Sequence, residues 1–236
     1  AVGTVLLPVL SHQLRAGDAA AAHASQNRAI EFALLLTLPA AAALALIAEP
    51  VVATLFGRGV FGAAEIRATA AALAVYATGL PAYVLAKALT PAFYAREDTA
   101  TPVKISVACM IANLALNILL MGPLLHVGIA LATSLSAWLN VVLLARVLTR
   151  RGDLVLDARL KARVPRQAAA ALVMALGLAL LLPLLAPGFA GGEAARVLAL
   201  ALLVGAGLLV YALAALGLGA AKPAELRAAL ARPQSE

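Results

Sequence analysis

The sequence is poor in the residues that carry chemistry. It has one cysteine, Cys109, set in an apolar run, which excludes a disulfide framework and a CxxC metal or redox site. Its three histidines, His12, His23 and His126, are too scattered to suggest metal ligation. No Walker A, GxSxG or HExxH motif occurs. No Asp or Glu lies in the middle of an apolar stretch. Glu31 and Glu49 stand at opposite ends of the first one, so the sequence offers no carboxylate for an intramembrane proton relay or enzyme. Charged residues make up only 12% of the 236. An initiating Met is also lacking, as are the basic n-region and polar cleavage site of a signal peptide. The chain reads as a fragment that starts inside a membrane helix.

What is present is apolar. Sixty-four per cent of the residues are hydrophobic and the mean hydropathy is +1.00, against roughly 45–50% apolar in a soluble domain. The bilayer is the natural solvent for such a chain, and about 20 apolar residues cross it. The class is therefore an all-α integral membrane protein, a polytopic helical bundle. Its expected composition is six whole transmembrane helices plus one partial N-terminal helix.

In order, Ala1–Leu10 is the partial span and Ser11–Arg28 an interfacial helix. Phe32–Ala48 is the first whole span; it contains Pro39, tolerable where a neighbour satisfies the freed carbonyl. Glu49-Pro50 ends it, Val51–Phe56 is a short apolar turn, and Gly57-Arg58-Gly59 is a loop. Ala68–Ala86 is the second span, kinked at Pro81 and running on to Tyr94. Ile105–Leu125 is the third, Gly122-Pro123 a tight turn, and Val127–Ala145 the fourth. Arg146–Arg166 is a long basic loop. Ala168–Gly192, bent or ended by Pro183 and Pro187, and Val197–Ala221 are the fifth and sixth. A weak amphipathic helix is predicted at Ala224–Ala231 in the polar tail.

The formal charge of +7 reads as topology rather than as affinity for nucleic acid. Arg15 and Arg28, then Lys87, Arg96 and Lys104, then seven basic residues from Arg146 to Arg166, then Lys222, Arg227 and Arg232 fall on one side. Only Arg58, Arg67 and Arg196 fall on the other. This bias places the C-terminus and the 87–104 segment in the cytoplasm.

Three groups of residues stand out. A polar knot, Arg96-Glu97-Asp98-Thr99, is closed by Thr101-Pro102-Val103-Lys104; Thr101 is a natural N-cap and Pro102 a natural first-turn residue. Arg96, Asp98, Thr101, Pro102 and Lys104 thus form a cytoplasmic hinge between two helices. Lys87 lies about two turns inside the end of its span. There it either snorkels to the headgroups or faces a wet cavity, where its charge would be functional. Asn113 and Asn117 share one helix face. Counting back from the Gly122-Pro123 turn sets Asn113 level with Ala132–Thr133. Asn113, Asn117 and Thr133 should then face each other or a cavity, as helix–helix glue or as a site.

Several stretches together resemble the MurJ/MviN family, the lipid II flippases of bacterial peptidoglycan synthesis. They are Ala1–Ser11, AVGTVLLPVLS; Leu55–Phe61, LFGRGVF; Ala92–Thr99 with Thr101–Lys104, AFYAREDT and TPVK; and Asn117 through Gly122-Pro123 to Gly128. The resemblance is collinear over about residues 1–150 and rests on hydropathy alone beyond. It implies two six-helix bundles around a V-shaped cavity, with two further C-terminal helices. By that resemblance residues 1–150 belong to the C-terminal transporter bundle, as its eighth to twelfth helices. Residues 151–236 would be a basic cytoplasmic loop, two extra transmembrane helices lining a groove for a lipid tail, and a short cytoplasmic tail.

The function implied is alternating-access movement of the undecaprenyl-diphosphate-linked peptidoglycan precursor across the bacterial inner membrane, with no enzymatic step and no cofactor. The partners implied are lipid II, membrane lipids and the N-terminal bundle, which holds the family's diphosphate-binding arginines and lies outside this sequence. A related polysaccharide-lipid or multidrug exporter is the alternative. Some members of the family bind sodium through Asn, Asp one turn later and a Thr on the next helix. Asn113, Asn117 and Thr133 match that spacing, with Asn117 where the Asp would stand. A hard cation needs oxygen ligands, so the lost carboxylate implies weak sodium coupling.

Overall fold

The computed structural model describes residues 2–220, with side chains from Leu6 onward. Its seven helices are α1 (Val2–Arg15), α2 (Ala19–Leu46), α3 (Ala48–Phe56), α4 (Ala63–Tyr94), α5 (Ala100–Arg151), α6 (Ala158–Ala190) and α7 (Glu193–Gly217). Among the described residues there is no strand. Five helices, α2 and α4 to α7, are long and apolar enough to cross a membrane.

Helix α5 is not one rod. Fifty-two residues would span about 78 Å if straight, more than twice a bilayer's hydrocarbon thickness. Its backbone breaks at Leu125, where φ is 51° and ψ is −131°, and the two arms return antiparallel. Ser136 Oγ donates to the Cys109 carbonyl at 2.8 Å, and Arg151 meets Asp98 at 2.6 Å at the far end. The reversal lies two residues beyond the expected Gly122-Pro123 turn. Gly128 makes it feasible, because a Cβ there would lie 2.2 Å from the Leu120 carbonyl oxygen.

Other expectations are corrected. Ser11–Arg28 is not one interfacial helix: α1 ends at Arg15, Gly17 turns the chain at φ 74°, and Asp18 caps α2 by accepting from Ala21 N at 2.8 Å. Residues 51–56 are not a turn. They belong to α3, because Pro50 sits in its first turn, where a missing N–H costs nothing. The basic loop 146–166 shrinks to residues 152–157, since α5 runs to Arg151 and α6 starts at Ala158. Asp157 caps α6 by accepting from Leu160 N at 2.6 Å. Of the two readings of Pro183 and Pro187, a bend or an end, the end is excluded, since α6 continues to Ala190, close to the expected limit at Gly192. The next helix after the polar knot starts at Ala100 rather than Pro102. Asp98, not Thr101, supplies the side-chain cap, accepting from Thr101 N at 2.9 Å. The tail helix expected at 224–231 lies outside the described residues.

Two main cores result, with smaller clusters where α3 meets α4 and where α6 meets α7. The larger core joins α1, α2, α4, the second arm of α5 and the start of α6 through Leu10, Ala33, Ala88, Phe93, Leu144, Leu148 and Leu160. The smaller joins α6 and α7 through Met174, Leu178 and Leu203, and rests on Ile47 at the end of α2. Where α4 crosses α5, Gly79 allows near-contact: a Cβ there would lie 2.8 Å from Ser134 Oγ. The first arm of α5 is largely uncovered, with Met110, Ile111, Leu114, Ile118 and Leu119 exposed.

Candidate functional site

The uncovered arm forms one wall of a cavity of about 1060 Å³ between α1, α4 and both arms of α5. Helix α4 contributes Tyr83, Lys87, Thr90 and Tyr94. These fall at i, i+4, i+7 and i+11, a spacing that places them on one face. The arms of α5 contribute Asn113, Thr133 and Asn140, among others. Lys87, Asn113 and Thr133, singled out from the sequence, thus line the same cavity.

Asn117 is not among the residues that line this cavity. Its Nδ2 donates to the Asn113 carbonyl at 3.0 Å and to Asn113 Oδ1 at 2.9 Å, while its own Oδ1 is buried without a partner. Thr133 donates to the Ile129 carbonyl of its own helix at 2.8 Å. The two asparagines are therefore joined to each other within one helix.

The 96–104 knot lies at one end of the cavity and is held from outside. Arg96 Nε pairs with Asp153 at 2.8 Å, and its Nη1 donates to the Ala92 carbonyl at 2.8 Å. Asp98 accepts from Arg151, which also donates to Thr101 Oγ1 at 3.1 Å and lies 5.7 Å from the Phe93 ring centre. The hydrogen bonds from Thr101, followed by that from Arg151, hold the Asp98 carboxyl well below the usual carboxylate range. Pro102 is buried and Lys104 exposed. Both sides of the knot are thereby tied to residues 151–153.

Sequence reasoning missed a charged cluster where α6 meets α2. Glu31, only 6% exposed, accepts from Arg28 at 2.8 Å, from Arg159 at 3.1 and 3.2 Å, and from buried Arg163. Arg28 also reaches Asp157. Asn27 Nδ2 donates to the Val155 carbonyl at 2.8 Å, and Gln167 Nε2 to the Glu31 carbonyl at 3.2 Å. The available signal was the i, i+4, i+8 spacing of Arg159, Arg163 and Gln167, which marks one helical face.

The family model described as Lipid II flippase MurJ matches residues 1–205. The chain belongs to the MurJ family. It is 40% identical over 237 aligned residues to a probable lipid II flippase MurJ of Rhizobium meliloti, covering 100% of this chain and 44% of that protein. It is 47% identical over 163 residues to one of Rhizobium tropici, covering 69% of this chain and 31% of the other. A solved structure titled Lipid II flippase MurJ, inward closed conformation, matches with TM-score 0.73 at 21% identity, over 91% of this chain and 42% of that one. That likeness shows the fold. The chain thus spans less than half the length of these MurJ relatives. Similarity to the family also extends past residue 150, into α6 and α7, where the sequence alone offered only hydropathy.

Proposed function

We propose that this chain is the C-terminal half of a lipid II flippase, a transporter rather than a catalyst, which works by alternating access in the bacterial inner membrane. The cavity of about 1060 Å³ inside a MurJ-family helical bundle, with Lys87 and neutral polar groups set in a largely apolar wall, carries the reading. A drug exporter for cations would favour acidic groups in such a wall, and the cavity lining here has Lys87 instead. With α5 counted as two arms, α2, α4, α6 and α7 complete six whole spans beside α1. The Lys and Arg bias supports a cytoplasmic C-terminus. The N-terminal bundle would supply the rest of the cavity and the groups that hold the diphosphate. In this reading Lys87 is a substrate residue and the 96–104 knot a cytoplasmic hinge. Asn113, Asn117 and Thr133 serve either as helix–helix glue or as a cation site at which sodium binds weakly or not at all.

The test is flipping of labelled lipid II in liposomes. The full-length protein containing this segment should flip it, and residues 1–236 alone should insert without flipping. Flipping by the fragment, or none by the full-length protein, would overturn the reading. Topology is tested with Cys109 replaced and single cysteines placed at His126 and Arg163. These should label from opposite sides, His126 outside, and labelling from one side would overturn the six-span count.

A further inference from the structure

The α4 wall of the cavity presents one charge among uncharged side chains, some polar and some apolar. Lys87 stands about 6 Å along the helix axis from Tyr83 and about 10 Å from Tyr94, and all three line the cavity with Thr90. Both tyrosines keep about two-fifths of their surface exposed, 42% and 40%. Asn113 and Asn140 face the same space from α5. Among the described lining residues there is no Arg, Asp or Glu.

This composition selects a ligand. A diphosphate carries more than one negative charge and is best held by several cations, above all by forked guanidinium groups. A lone ammonium matches a single carboxylate. Amide side chains and tyrosines with free faces suit neighbouring amide groups, which they contact by hydrogen bonds and by the ring surface. We propose that Lys87 binds a carboxylate of the peptide carried by the lipid-linked substrate, with Tyr83 and Tyr94 bracketing that peptide along α4. The inference rests on the flippase reading above and assigns this half of the cavity to the peptide rather than to the diphosphate.

The test measures binding to the full-length protein with two probes: lipid II, and lipid II whose peptide carboxylates have been converted to primary amides. Wild type should bind the amidated lipid about ten- to a hundredfold more weakly, the worth of one charge-assisted hydrogen bond. Lys87→Met should weaken binding of lipid II by a similar factor and leave the amidated lipid unaffected. Lys87→Arg should retain most of the preference. Equal weakening of both lipids by Lys87→Met would place the lysine at the diphosphate and overturn the proposal. No change with either lipid would show that Lys87 does not touch substrate. Failure of wild type to bind either probe would instead overturn the flippase reading itself.

Discussion

Tyr211 of α7 donates its hydroxyl to the carbonyl of Leu35 in α2 at 2.7 Å. Leu35 lies four residues before Pro39, so this carbonyl is the one that proline leaves without its helical N–H. One bond therefore permits the proline inside an apolar helix and joins the α6–α7 pair to α2. Tyr211→Phe should destabilise the protein in detergent by about 0.6–1.7 kcal/mol, the range for interhelical hydrogen bonds in membrane proteins. In a Pro39→Ala background the backbone N–H returns, and the same substitution should cost less. Thermal unfolding of the four variants checks this, and equal costs in both backgrounds would refute the link.

The second prediction concerns acid. Asp98 is ionised with Thr101 and Arg151 as partners, and its carboxyl is lowered from an ordinary value of 3.8. A group depressed on folding stabilises the native state above its unfolded pKa and loses that contribution as pH falls through its folded one. The stability gap between wild type and Asp98→Asn should be constant from pH 5 to 7 and should narrow below about pH 4. Melting temperatures across that range provide the measurement. A gap that opens as pH falls would show that the carboxylate is not held in this way.

How much of this was legible in the sequence follows from where the polar residues sit. The end of α4 at Tyr94 and the level pairing of the α5 arms could be read, because Pro102 and the Gly122-Pro123 pair mark local backbone limits. Prolines also misled. Pro50 read as a stop, yet it lies in the first turn of α3, and of the two readings of Pro183 and Pro187, a bend or an end, the continuous α6 excludes the end. The Glu31 cluster was hidden for a different reason. Its partners on α6 lie 128 and 132 residues away, in a segment whose charges read as a loop. Ion pairing between distant helices leaves no local pattern beyond the spacing on each helix.

The third prediction tests the sodium proposal. Asn113 and Thr133 line one cavity, and the buried Oδ1 of Asn117 has no partner. A carboxylate at 117 would add the charge a hard cation needs. In the full-length protein, Asn117→Asp should gain about 1.4 kcal/mol of stability when sodium is tenfold above its dissociation constant. Wild type should gain little, and adding Thr133→Val to Asn117→Asp should abolish the gain. Indifference of all three to sodium would leave the asparagines as a structural pair only.

The last prediction concerns the anchor of α6. Glu31 and Arg163 are 6% and 5% exposed, so each was taken out of water and is stabilised only by its partners. Arg159, by contrast, keeps 40% of its side chain in solvent, where an ion pair contributes little. Glu31→Gln removes the charge but keeps the shape, and leaves the buried guanidinium without this carboxylate. It should therefore cost about 3–5 kcal/mol. Arg159→Ala should cost about 1 kcal/mol or less. Pairing Glu31→Gln with Arg163→Met removes both buried charges and should recover part of the loss, which two independent sites would not do. Thermal unfolding in detergent gives the order directly. Glu31 ties α2 to the first turns of α6, where Leu160 packs in the larger core, while Met174 and Leu178 farther along α6 pack in the smaller one. If Arg159→Ala proves as damaging as Glu31→Gln, the burial argument fails and the cluster acts as an exposed network.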